Sequence, residues 1–216
     1  MKKTKRKIKI IGTGFYVTDK VLTNADLEKI VDTTDEWITT RTGIKERHLA
    51  YDNQASSDLA IEAGKRALEN AGLEVDDIDL IIVATATPDT LFPSTACWVQ
   101  KGLNGKNIPA FDLSGACSGF LYGMIVSEGM ILNGTCRRIL LIAVETLSRI
   151  TDWEDRNTCV LFGDAASAAV LEESQDESGM LSYYWGSDGN LGDLLLLPAG
   201  GSRMPASKET VEKRQH

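Results

Sequence analysis

The sequence predicts an α/β fold in which a mainly parallel sheet is covered by helices. Two nearly continuous apolar runs, over 79–85 and 138–144, are typical of strands that are buried on both faces. Segments with helical periodicity separate the runs, and alternation of strands with helices favours parallel pairing. The 216 residues include no low-complexity segment or internal linker, so we expect one domain over this length.

Six strands are predicted, each of them an alternating or continuous apolar run with polar residues, glycine or proline at its ends. In chain order they cover residues 7–14, 79–85, 108–113, 138–144, 160–171 and 180–185.

Helices are predicted between the strands from their caps and apolar stripes. Thr23 and Asp26 occupy capping-box positions of a short helix over 24–31. A second cap, Thr33-x-x-Glu36, begins a helix that ends at Gly43. The other predicted helices begin at Ser57, at Pro93 and just after Cys117, and they end at Gly72, Asn104 and Gly134.

The motif Gly115-x-Cys117-x-Gly119 joins the strand over 108–113 to the helix that follows it. Two glycines let the backbone turn sharply and leave the Cys117 side chain at the N-terminus of a helix. The positive end of the helix dipole favours the nucleophilic thiolate at that position. The same pattern fits a buried structural cysteine in a glycine-rich packing turn, so these residues alone leave both roles open.

Composition excludes several classes of protein. A net charge of −8 argues against a nucleic-acid partner, and no apolar stretch has the length of a membrane span. The four cysteines include no CxxC pair, which favours neither a zinc site nor a disulfide scaffold. The basic start, MKKTKRKIKI, lacks the apolar region and cleavage site of a signal peptide, so we expect a cytoplasmic protein.

Five segments together resemble the first half of the β-ketoacyl-acyl-carrier-protein synthase III family. They read IIGTGFYVTD, TNADLEKIVDTTDEWITTRTGIKERH, ATATPDTLFPSTAC, PAFDLSGACSGF and DWEDRNTCVLFGDAASAAVLE, and the match runs in order from about residue 8 to about residue 200. The resemblance implies a thiolase-like fold of two similar halves, each with a helix-clad five-stranded sheet, in a homodimer. It implies an N-terminal half over 1–200 and the start of a connection to a C-terminal half over 201–216.

The resemblance implies an acyltransferase of fatty-acid biosynthesis with acyl-CoA as a substrate and no cofactor or metal. Cys117 would accept an acetyl or other short acyl group, which would then condense with malonyl-acyl carrier protein. Trp37 would stack on the adenine of coenzyme A with Arg156 on its opposite face, and Arg41 and Thr33 would be further contacts. An indole and a guanidinium can sandwich a purine, and the spacing places Trp37 and Arg41 on one helix face. From their types alone, these residues also fit a core or rim tryptophan and solvated arginines.

The resemblance also implies an acyl pocket, and it implies two catalytic residues that belong to the second half of the family's sequence. Phe92, Leu147, Phe162 and Leu194 resemble the apolar residues around the family's acyl pocket, with Phe92 reaching across the dimer interface. The residue types alone would make each of them ordinary core. The family's catalytic His and Asn belong to its second half, so we expect them beyond residue 216.

Two other hypotheses stay open at this point. The motif around Cys117 also resembles the nucleophile elbow of a cysteine hydrolase, and Cys117, Asp188 and His216 follow the chain order of that class. In addition, the segment 207–216 looks like a helix that is only beginning, which is typical of a truncated, non-catalytic fragment of a longer protein.

Overall fold

A mixed sheet of five strands forms the centre of the protein in a computed structural model that describes residues 6–176 and 178–216. The seven strands found there are β1 (Ile8–Tyr16), β2 (Val21–Thr23), β3 (Glu46–His48), β4 (Leu80–Ala84), β5 (Ala110–Leu113), β6 (Arg138–Thr146) and β7 (Asp164–Glu173). The order across the main sheet is β1-β7-β6-β4-β5, and β2 and β3 form a separate antiparallel pair. β4 pairs in parallel with β5 and β6, whereas β7 is antiparallel to β6 and β1.

Helices cover both faces of this sheet. The helices of the described residues are α1 (Asn24–Leu27), α2 (Asp35–Thr42), α3 (Ser56–Ala71), α4 (Thr95–Gly102), α5 (Gly119–Leu132), α6 (Arg156–Cys159) and α7 (Lys208–Glu212), of which α3, α4 and α5 pack on the sheet. Ile81 and Val83 of β4 pack with α3 and α4, whereas Leu80 and Ile82 pack on the α5 side. Because both faces of β4 are covered, its sequence is continuously apolar, and the predicted helix-clad α/β sheet is confirmed. The sheet is mixed rather than mainly parallel, because β7 is antiparallel to both of its neighbours.

Most of the predicted helix boundaries agree with the structure. Gly43 and Gly72 end α2 and α3 in the left-handed conformation, with φ of 74° and 67°, and Thr23 and Asp26 form the predicted capping box of α1. The second cap is off by one residue, because the Thr34 hydroxyl, not that of Thr33, accepts the backbone N–H of Trp37 at 3.0 Å.

Three predictions about strands and short helices are wrong. Residues 180–185 form no strand: Tyr184 is 97% exposed, and an apolar run without a neighbouring strand has no partner for its backbone groups. The strand predicted over 160–171 begins only at Asp164, after α6 and a turn. The helix expected over 24–31 stops at Leu27, and the short pair of β2 and β3 was not predicted.

The backbones of β1 and α3 are in direct contact. A Cβ atom added to Gly12 would lie 2.5 Å from the carbonyl oxygen of Ala67, and one added to Gly14 would lie 2.5 Å from the Ala67 nitrogen. Only glycine fits at these two positions, so they fix the distance between the sheet and its longest helix.

Candidate active site

The carboxyl ends of the parallel strands meet at one edge of the sheet, and Cys117 lies at this edge. β5 ends at Leu113, and Cys117 follows in a 3₁₀ turn over 116–118 that leads directly into α5. Its side chain is exposed and lines a cavity of about 790 Å³. Ala84 at the end of β4 and Glu145 near the end of β6 line the same cavity, so this edge collects the side chains that could act together.

The turn that presents Cys117 is tight for two reasons. Ala116 has a φ of +43°, a left-handed conformation that costs a residue with a Cβ atom about 1–2 kcal/mol. A Cβ atom on Gly119 would lie 3.1 Å from that of Ala84, and one on Gly115 would lie 2.9 Å from the Tyr122 ring. The sharp turn predicted from the two glycines is therefore present, but the left-handed residue is Ala116 rather than either glycine.

The other three cysteines differ from Cys117 in their surroundings. Cys136 and Cys159 are buried, and burial raises the pKa of both thiols. Cys97 is half-buried, and its sulfur accepts the Ser94 hydroxyl at 3.2 Å. Because the thiolate is the nucleophile, Cys117 is the cysteine best placed to react.

Two of the four predicted pocket residues line the cavity. Leu147 and Phe162 are part of its wall, which also includes Leu195 to Leu197. Leu194, next to that run, is 79% exposed, and Phe92 is 85% exposed on the loop after β4. Neither Leu194 nor Phe92 is among the lining residues of the chain as described.

Polar residues of the cavity wall were missed by the sequence analysis. Glu145, Asp152, Asp155 and Arg214 line it. Hydrogen bonds, first from the backbone of Asn157, hold the pKa of Asp155 below its ordinary value. Arg214 pairs with Glu154 and lies 3.5 Å from Asp152. The sequence does indicate Glu145 by its position. It directly follows a predicted parallel strand, and functional side chains collect at the carboxyl ends of such strands.

Two arginines lie over the Trp37 ring, one from the same helix and one from α6, more than 100 residues further along the chain. The guanidinium carbon of Arg41 is 4.4 Å from the centroid of the Trp37 ring, and that of Arg156 is 4.2 Å away. Arg156 also donates to the Asp32 carbonyl at 2.9 Å. The hydroxyl oxygen of Thr33 is buried without a hydrogen-bond partner among the described residues. We call Trp37, Arg41 and Arg156 the tryptophan platform.

A buried polar network beneath the platform holds α2 and the segment after α6 together. Arg47 is 5% exposed, and burial lowers its pKa. It donates to the side chain of Asn24 and to the Val160 carbonyl, both at 2.9 Å. Asn24 donates in turn to Asp35 of α2 at 2.7 Å and to the Ile44 carbonyl at 2.8 Å. The network therefore fixes the relative positions of the elements that carry Trp37 and Arg156.

The helix α6 connects the platform with the cavity. Arg156 lies on the Trp37 ring, whereas Asp155, just before α6, and Thr158 line the cavity of Cys117. An elongated molecule bound at the platform could thus extend along α6 towards the thiol.

The hydrogen bonds that the structure describes for His216 and Asp188 do not form the triad with Cys117 that the hydrolase hypothesis requires. His216 lines the cavity, but its Nε2 lies 2.7 Å from the Thr210 hydroxyl. Asp188 instead accepts the backbone N–H of Asn190 at 2.9 Å and caps its own turn. In the described part of the chain, no group of three or more His, Cys, Asp or Glu side chains could hold a metal ion. No helix in the described ranges has both the length and the apolar character needed to cross a membrane.

Comparisons with known proteins agree with the architecture. Residues 111–189 match the family described as 3-oxoacyl-[acyl-carrier-protein] synthase III. The β-ketoacyl-[acyl-carrier-protein] synthase III of Caldanaerobacter subterraneus is 59% identical over 96% of this chain and 62% of its own length. That of Natranaerobius thermophilus is 54% identical over 96% of this chain and 64% of its own length.

Solved structures of such enzymes superpose on this chain. The 3-oxoacyl-(acyl carrier protein) synthase III of Pseudomonas aeruginosa matches with a TM-score of 0.85 and 39% identity, covering 92% of this chain and 62% of the other. The enzyme of Aquifex aeolicus matches with a TM-score of 0.77 and 54% identity, covering 78% and 55%. The chain spans 62% to 64% of the length of the two curated relatives, and over that span it is similar to the β-ketoacyl-acyl-carrier-protein synthase III family.

Proposed function

We propose that the whole protein is a 3-oxoacyl-acyl-carrier-protein synthase III that starts fatty-acid synthesis from a short acyl-CoA. The observation that carries this proposal is the exposed Cys117 thiol, which opens into an apolar cavity from the start of α5. The proposal needs no redox cofactor. Cytoplasmic location and assembly as a homodimer belong to the same proposal and rest on the resemblance to the family.

The first step is transfer of the acyl group to Cys117. The thiolate attacks the thioester carbonyl of acetyl-CoA or another short acyl-CoA, a new carbon–sulfur bond forms, and coenzyme A leaves as its thiolate. Backbone N–H groups at the start of α5, which directly follows Cys117, are candidates for stabilising the negative charge that develops on the thioester carbonyl.

The second step uses malonyl-acyl carrier protein. Its carboxylate leaves as CO2, the resulting carbanion attacks the acyl carbon, and the Cys117 thiolate is released. The product is a 3-oxoacyl group on the carrier protein. We assign the groups that stabilise the enolate, a His and an Asn, to the part of the family's sequence that lies beyond these 216 residues.

The remaining predicted residues divide between the two ends of the acyl donor. We assign adenine binding to the tryptophan platform, with Thr33 as a further contact near the nucleotide. The base would lie between Trp37 and Arg156, so the Arg156 guanidinium, whose carbon is 4.2 Å from the ring centroid, has to move away from the ring when the base binds. Phe92, Leu147, Phe162 and Leu194 are assigned to the acyl group, with Phe92 acting across the dimer interface. The cavity wall at Leu147 and Phe162 and the exposure of Phe92 support this assignment.

Incubation with acetyl-CoA tests the proposal directly. We expect one acetyl group per chain, detected by intact mass, and peptide mapping should place it on Cys117. Cys97, Cys136 and Cys159 serve as internal controls and should stay unmodified. A chain that releases acetate continuously without an acyl intermediate would instead support the hydrolase hypothesis.

Replacement of Trp37 by Ala should weaken coenzyme A binding by about 1–3 kcal/mol, by analogy with the loss of one base–aromatic stack. Calorimetric titration of coenzyme A into both proteins measures this change. Acetylation by a small thioester without a nucleotide, such as S-acetyl-N-acetylcysteamine, is the control and should keep its rate. Equal affinities of folded wild type and variant would leave Trp37 with a structural role only.

A further inference from the structure

The cavity of Cys117 has a fixed carboxylate that the two proposed steps do not use. Glu145 lines it together with Ala86, which follows β4. One carboxylate oxygen of Glu145 accepts the backbone N–H of Ala86 at 2.9 Å, and the other accepts the Thr87 hydroxyl at 2.6 Å. The side chain is therefore anchored at the wall by both oxygens.

A buried network determines the direction of these hydrogen bonds. The Thr87 hydroxyl accepts the backbone N–H of Thr146 at 2.8 Å, which leaves its hydrogen for Glu145. The Thr87 carbonyl accepts the Ser56 hydroxyl at 2.6 Å. Ser56, Thr87 and Thr146 are all at least nine-tenths buried. Glu145 thus accepts one hydrogen bond at each of its two carboxyl oxygens.

The charge of Glu145 has no cationic partner among the described residues. None of their ion pairs includes Glu145. Arg214, which also lines the cavity, pairs with Glu154 and Asp152. Asp152 and Asp155 add charge of the same sign to the wall. The wall around Cys117 is therefore largely apolar with net negative charge.

We propose that Glu145 is a specificity-determining residue that disfavours acyl groups carrying a second carboxylate at Cys117. The proposal rests on the acyl-transfer function proposed above. Acetyl and branched acyl groups bring no charge into the cavity, whereas a malonyl or succinyl group would bring a carboxylate near Glu145. Like charges about 8 Å apart in a partly hydrated cavity repel enough to change a rate about fivefold. Glu145 would thus help to keep dicarboxylic acyl groups from being loaded as primers.

A pair of alkylating reagents tests the charge without requiring recognition of coenzyme A. Iodoacetamide is neutral and iodoacetate is anionic, and in both reactions sulfur bonds to carbon while iodide leaves. The rate ratio of iodoacetate to iodoacetamide at Cys117 is measured by peptide mass spectrometry and normalised to the unfolded chain. In Glu145→Gln, which keeps the shape of the side chain, we expect this ratio to rise about fivefold.

Two matched variants separate the effect of the Glu145 charge from the effect of loosening the loop after β4, which Glu145 contacts at Ala86 and Thr87. Glu145→Asp keeps the charge and should leave the ratio close to that of the wild type. Asp89 lies on the loop after β4 that carries Ala86 and Thr87. It accepts the backbone N–H and hydroxyl of Ser57 at 2.9 and 2.6 Å and is not among the residues that line the cavity. Asp89→Asn should therefore also leave the ratio unchanged, even if it loosens the loop.

Acyl donors provide the second measurement. The ratio of Cys117 acylation by succinyl-CoA to that by acetyl-CoA should rise in Glu145→Gln in parallel with the alkylation ratio. An unchanged alkylation ratio in Glu145→Gln, or an equal rise in Asp89→Asn, would overturn the role given to the Glu145 charge. If neither thioester acylates the wild type, the proposed function fails, and the alkylation ratio still decides whether Glu145 repels anions.

Discussion

A Cys117→Ser variant should form no stable acyl adduct with acetyl-CoA, and acyl transfer should fall by about 10³-fold or more. A serine hydroxyl stays protonated at neutral pH, and loss of the nucleophile is among the most costly single changes in an enzyme that works through a covalent intermediate. Because Cys117 is exposed and the two side chains are similar in size, the thermal midpoint should change little. Intact mass and stopped time courses with labelled acetyl-CoA measure the effect.

Cys97→Ser is the matched control for this variant, since Cys97 lies in α4 and is half-buried. It should acquire one acetyl group at the wild-type rate. Acetylation that persists in Cys117→Ser and maps to another cysteine would remove Cys117 as the nucleophile.

A Gly14→Val variant should lose about 3 kcal/mol or more of its free energy of unfolding. Any Cβ atom at this position overlaps the backbone of α3 at Ala63 and Ala67, and neither a backbone nor a well-packed helix can move aside cheaply. Because the total stability of a domain is about 5–15 kcal/mol, a loss of this size is a large part of it. Urea unfolding followed by circular dichroism measures the change.

Gly129→Ala is the control for the glycine substitution. A Cβ atom added to Gly129 meets no atom within 4 Å, and the residue lies inside α5. Alanine should therefore stabilise this helix by up to about 1 kcal/mol. Equal stabilities of Gly14→Val and the wild type would show that β1 and α3 can separate without cost.

Features set by neighbouring residues could be predicted from the sequence. The end of α3 at Gly72 and the start of α5 after Cys117 depend on local backbone preferences, and the run before Thr85 is apolar because β4 is covered on both faces. The choice between Thr33 and Thr34 as the cap depends on which hydroxyl reaches the Trp37 N–H, and two adjacent threonines give no local signal for that.

Features set by distant residues could not be predicted in the same way. Arg156 meets Trp37 because a buried network joins their two segments, and nothing in the spacing indicates that contact; only resemblance to a family suggested it. Glu145 was missed since its partners, Ala86 and Thr87, come from the end of another strand. Residues 180–185 form an apolar, aromatic-rich run of the kind typical of strands, but composition alone does not supply a neighbouring strand to pair with.

The short helix α6 has a consequence for how a donor is selected. It separates the tryptophan platform from the cavity by a fixed span, with Arg156 on one side and Thr158 on the other. In the proposed function this span sets a minimum length for the acyl donor, because its flexible arm must carry the thioester from the platform to Cys117. A donor with a shorter arm could bind tightly through its adenine and still not transfer its acyl group to Cys117. The affinity for the donor and the rate of acyl transfer are therefore separate properties.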